Sequence, residues 1–157
     1  MNKHNFMKKY LIFAIALVAG VLACTSCKKD KNGADEPELK GTIYHYHGIS
    51  SMAEYEYEHD LYLGLEDNGN MTMKWEGVKA SKDAEPVNLY MYNGQWESDG
   101  GTGFHFHFDG KPQLPNGKPF DQWDSFDVDG WGDATGCSFD YHVNGATMAI
   151  FDGQIVK

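Results

Sequence analysis

The stretch Gly103-Phe104-His105-Phe106-His107-Phe108-Asp109-Gly110 decides how the chain is read. Successive side chains of a β-strand point to opposite faces, so residues two apart share a face. Phe104, Phe106 and Phe108 therefore form an apolar face, and His105, His107 and Asp109 form a wet one. A helix advances 100° per residue and would set Phe104 and Phe106 on opposite sides, burying imidazoles with them. Asp109-Gly110 then marks a turn.

The same alternation recurs outward in both directions. Tyr44-His45-Tyr46-His47 separates tyrosines from histidines, and Phe139-Asp140-Tyr141-His142-Val143 does so a third time. Strands are expected at 42–49, 55–66, 71–77, 87–92, 103–109, 125–128, 138–143 and 147–156. Turn signals lie among them, including Asp67-Asn68-Gly69-Asn70, Asn93-Gly94, Asn116-Gly117, Asn144-Gly145 and Asp152-Gly153. After residue 30 a helical period is missing, although 50–54 and 80–85 have room for a single turn. The expected fold is all-β: a small antiparallel sandwich or lipocalin-like barrel of about eight strands. The stretch 111–136, with Pro112, Pro115 and Pro119, is the longest without alternation and is expected to be a functional loop.

The N-terminus carries a different message. Lys3, Lys8 and Lys9 precede an uncharged run over 11–23 that ends in small residues before Cys24. This is a charged region, a short apolar region and a cleavage region. Thirteen residues fall short of the roughly 20 that a membrane-crossing helix needs. Val21-Leu22-Ala23-Cys24 resembles the lipobox of bacterial lipoproteins. Thr25-Ser26-Cys27 followed by Lys-Lys-Asp resembles the start of many Bacteroidota lipoproteins. The resemblance covers about the first 30 residues and assigns no family to the β domain. It implies a signal peptide over 1–23 and lipid on Cys24 with Cys27 as the alternative; the polar composition that follows reads as a flexible tether over 24–38, and the alternation as a β domain over 39–157. It also implies attachment to the bacterial cell envelope, the outer membrane being the expected host.

Removing 1–23 takes away three lysines and no acid, so the formal charge moves from −10 to −13. The chain contains no arginine. Recognition of phosphate leans on the guanidinium fork, and nucleic-acid binding needs a basic face, so nucleic acid is not an expected partner. With three cysteines, one of them Cys137, no disulfide framework follows; if Cys24 is lipidated, Cys27 is free to pair with Cys137.

Five imidazoles fall on the wet faces of three strands: His45, His47, His105, His107 and His142. Same-face residues of a strand lie about 7 Å apart and neighbouring strands about 4.8 Å, so two adjacent His-x-His strands could gather three or four ring nitrogens around one ion. Zinc suits such a set, before copper. Phe-His-Phe-His-Phe also resembles the His-x-His segment of periplasmic lipocalin-like zinc-recruiting proteins. The bland alternative is a solvated sheet face. His59 shares its face with Tyr55, Tyr57, Leu61 and Leu63 and reads as a core or rim residue, while Met71, Met73 and Trp75 read as core.

Asp127, Asp129 and Asp133, with Gly130 and Gly132 among them, are candidate calcium ligands in a loop, though their order departs from the EF-hand. Trp96, Trp123 and Trp131 sit near turns, where a glycan-binding module displays flat aromatics, and Tyr90 and Tyr92 would extend such a surface. Glu54, Glu56 and Glu58 alternate along one face, as a solubility device does. No nucleophile-elbow, phosphate-loop or paired-cysteine motif is present. The expected role is therefore binding: an envelope lipoprotein that takes up a transition metal, or a surface adhesion or glycan-binding module.

Overall fold

The computed structural model describes residues 37–157. The expected signal peptide, both candidate lipid-attachment cysteines and most of the expected tether lie outside the described residues. Within them are eight strands: β1 (Thr42–Met52), β2 (Glu56–Leu65), β3 (Asn70–Val78), β4 (Val87–Ser98), β5 (Phe104–Gly110), β6 (Phe126–Gly132), β7 (Gly136–Val143) and β8 (Ala146–Ile155). Each pairs antiparallel with its neighbours in sequence, and β8 pairs with β1 from Tyr46↔Ile155 to Met52↔Ala149. That last ladder closes the sheet, so the domain is a barrel and not a sandwich.

The alternation explains why it closes. Eight strands leave an interior just wide enough for side chains to fill. Every strand contributes apolar residues on alternate positions, among them Tyr46, Leu61, Leu63, Met71, Met73, Leu89, Phe106, Val128, Tyr141 and Phe151, all buried. Trp75 is packed edge-on against Tyr141 and Phe139, at ring-centroid distances of 4.9 and 5.6 Å. Aromatic pairs prefer such geometry. So much ring volume needs gaps in the wall, and Gly130 supplies one. A Cβ there would stand 2.3 Å from Phe139 Cβ and 2.8 Å from Phe106 Cζ.

The meander puts the turns at 66–69, 99–103 and 133–135 at one end, together with both ends of the β domain. The connections at 53–55, 79–86, 111–125 and 144–145 lie at the other. Of these, 111–125 is not an open loop. Gln113 bridges to Tyr90 and to Pro119, and Phe120 and Trp123 are buried. Trp123 stacks on Phe126 at 5.2 Å with planes 13° apart. The segment seals that end of the barrel and lies over Tyr90, which is fully buried although its strand position points outward.

The outward face is mostly polar, with His45, His47, Glu58, Asp60, Glu97, His105, His107, Asp129 and Asp140 on it and Ile43, Ile49, Trp131 and Ile150 as exposed apolar exceptions. A lipid-embedded barrel has the opposite arrangement, apolar outside and polar within. This wall therefore faces water. With its own core and a sheet closed on itself, the domain meets the physical requirements for folding alone.

Candidate functional site

All five candidate histidines project from the outside of the barrel, as alternation requires, but the topology separates them. β1 pairs with β2 and β8, whereas β5 pairs with β4 and β6. His45 and His47 are thus across the barrel from His105 and His107, and His142 stands on β7. The expectation that adjacent His-x-His strands surround one ion is corrected on this point. Among the described residues, no group of three or more His, Cys, Asp or Glu side chains is arranged to hold a metal.

Four of the five imidazoles instead meet carboxylates on the neighbouring strand. His45 Nε2 lies 2.8 Å and His47 Nδ1 3.3 Å from Asp60 Oδ1. His107 Nδ1 is 2.9 Å from Asp129 Oδ1, and His142 Nδ1 is 2.7 Å from Asp127 Oδ2. An ionised carboxylate only accepts, so each facing ring nitrogen carries the hydrogen. Partial burial pushes the Asp60 carboxyl up, but its bonds to His45 and His47 outweigh that and hold it below the usual range.

The calcium loop is corrected as well. Asp127 and Asp129 belong to strand β6, two residues apart on its outer face, and each bonds a histidine. Asp133 lies beyond the strand. Its Oδ1 accepts from Thr135 N, Thr135 Oγ1 and Gly136 N, which lowers its pKa and ties the β6–β7 turn.

Of the three tryptophans expected as platforms, one is displayed. Trp123 is buried in the barrel end, and Trp96 is half-buried with its Nε1 donating to Glu66 O at 2.8 Å. Trp131 is 48% exposed. It faces a groove of about 600 Å³ on the outside of β4, β5 and β6. Two cross-strand rows build this groove. One runs Glu97, His105, Trp131; the other runs Gln95, His107, Asp129. Trp96, Phe106 and Gly130 complete the lining. A bulge in β4, where Asn93 takes φ 64°, shifts that strand's alternation so that Gln95 and Glu97 point outward. The groove offers one flat apolar face bordered by carboxylates, imidazoles and an amide.

A second polar constellation lies inside the barrel. Trp75 Nε1 donates to His59 Nδ1 at 2.5 Å, and His59 Nε2 meets Ser50 Oγ at 2.7 Å. Indole is a donor only, so Nδ1 must accept and Nε2 must carry the proton. That proton points at Ser50, so His59 cannot take the Ser50 hydrogen as a general base would. Burial lowers the His59 pKa to about 4. Cys137 is free and buried on the inner face of β7, and burial pushes its thiol pKa up, which is the opposite of a reactive cysteine. Cys27, which could pair with it only if Cys24 is the lipidated residue, lies outside the described residues.

No family model matches the chain, and neither a curated protein nor a solved structure matches it.

Proposed function

We propose that the mature protein is a lipid-anchored envelope protein whose barrel binds glycans in the outer groove of β4, β5 and β6. The observation that carries the reading is the exposed indole of Trp131 set between two rows of polar side chains. A pyranose ring presents C–H groups on its faces and hydroxyls around its rim. An indole plane suits the first, while Gln95, Glu97, Asp129 and the imidazoles can bond the second. The lipobox-like segment before Cys24 supports the anchor, and the polar outer wall supports work in water beside a membrane.

Transition-metal capture, expected from the same histidines, has less support. An ion would have to displace the His–Asp bonds and recruit ligands that the strand order keeps apart.

Affinity electrophoresis of the barrel through gels containing soluble polysaccharides tests the glycan reading. Retardation in at least one gel is expected, with Trp131→Ala weakening it about ten-fold as the stacking surface is lost. Equal retardation of the variant, or none of the parent in any gel, overturns the reading.

A further inference from the structure

The charge around the groove says more about its occupant than its shape does. Glu97 and Asp129 line it, while none of the seven lysines among the described residues does, and the chain has no arginine. Asp140 stands beside Asp129 in register on β7, and Asp127 and Asp109 oppose each other one position further along. The five acids on this flank, Glu97, Asp109, Asp127, Asp129 and Asp140, outnumber its three imidazoles, His105, His107 and His142, of which His142 bonds Asp127, and each acid has its side chain on the water side of the wall.

A uronic, sialic or sulfated sugar brought here would set like charges against one another, with no lysine ammonium among the described lining residues to receive it. A neutral sugar would be accepted. A sugar carrying a free amine would gain twice, because an ammonium group is attracted by the carboxylates and by the face of an indole.

We infer that the groove selects cationic amino sugars, that is, oligosaccharides of glucosamine with unacetylated nitrogens, over their N-acetylated and acidic counterparts. The selection rests on the glycan reading above. Trp131 is the flat surface for the pyranose face, which a flexible cationic peptide does not need; Glu97 and Asp129 are the charge filter. His107 already holds one oxygen of Asp129, at 2.9 Å, and leaves the other for a ligand.

Isothermal titration of the full chain in mild detergent micelles is the test, using hexamers of glucosamine, N-acetylglucosamine and galacturonate, with hexalysine as the peptide probe. The glucosamine hexamer is expected to bind about ten-fold more tightly than the N-acetylated one, the scale of two partly exposed ion pairs. Galacturonate should show no heat. In the double variant Glu97→Gln/Asp129→Asn, the ratio of the two glucosamine affinities should fall to about one, and added salt should lower the ratio in the parent. Melting curves of both proteins verify the fold, and both changes are at exposed positions. Trp131-dependent binding with the N-acetylated hexamer equal or tighter overturns the charge filter and spares the glycan reading. Hexalysine binding as tightly as the glucosamine hexamer, unaffected by Trp131→Ala, overturns both in favour of a cationic peptide. Silence toward all four probes also overturns both.

Discussion

His59 was legible as an inward residue, because it falls in step with Leu61 and Leu63 along β2. Its partners were not, since Ser50 is nine residues and Trp75 sixteen residues away and both meet it through the barrel interior. The consequence is a pH response. Trp75 can only donate, so a proton added to Nδ1 would set two donors against each other and place a charge among rings. Unfolded chain takes up that proton near the ordinary value of 6.5, whereas the folded chain resists until about pH 4. Between those values the unfolded state binds more protons, so this part of the stability is present above 6.5 and is lost as pH falls through about 4. The shift corresponds to roughly 3 kcal/mol. Urea unfolding of residues 39–157 at pH 7 and pH 4 should show that loss. The variant His59→Leu, less stable at pH 7 because Trp75 and Ser50 lose their partner, should show a correspondingly smaller pH dependence. An unchanged difference between the two pH values would mean that carboxylates elsewhere carry it.

At the scale of the element, all eight strands could be read from alternation and turn residues, to within a few positions at most ends. The largest discrepancies are β4, expected to end at 92 but running to Ser98 past its bulge, and β6, expected to end at 128 but running to Gly132. Asp127-Val128-Asp129-Gly130-Trp131-Gly132 looks like a loop because two of its inward positions are glycine. The apolar face of that strand is supplied instead by rings from its neighbours, Phe104, Phe106 and Phe139, which close over the gaps. The signal was present in parity: Phe126 and Val128 share one face, while Asp127, Asp129 and Trp131 share the other. Gly130→Ala should therefore act as overpacking and not as a relief of backbone entropy. A destabilisation of about 1–3 kcal/mol is expected, because the new Cβ meets Phe139 and the backbone oxygen of Ser138 at 2.8 Å. A chemical denaturation midpoint equal to or above the parent's would show that the rings reseat freely. The 111–125 segment was misread for a related reason. Its prolines hide two aromatic residues that plug the barrel, so within the stretch 111–136 the first part carries closure while Asp129 and Trp131 line the groove.

For the whole molecule, the sequence leaves sandwich and barrel equally open, since both need one apolar face per strand. Only the β1–β8 ladder distinguishes them, and it joins the two most distant strands of the chain. Which histidines meet which carboxylates follows from that same strand order, and so the candidate site was readable as a face but not as a set of neighbours. The proposed anchor is tested at this scale too. Labelled palmitate should enter the full chain made in a bacterial host, and Cys24→Ser should abolish it while Cys27→Ser leaves it. The reverse pattern would move the attachment to Cys27, and label in neither parent nor variants would remove the anchor.

Closure between first and last strands also sets a timetable. Antiparallel neighbours can pair as they emerge, but Thr42–Met52 keeps an open edge until Ala146–Ile155 has been made. Long-range closure of this kind is slow compared with local pairing. A chain that is threaded out of the cytoplasm N-terminus first must stay unfolded while it waits. If the chain is exported as proposed, a barrel that cannot close before Ala146–Ile155 is available would still be open when export begins.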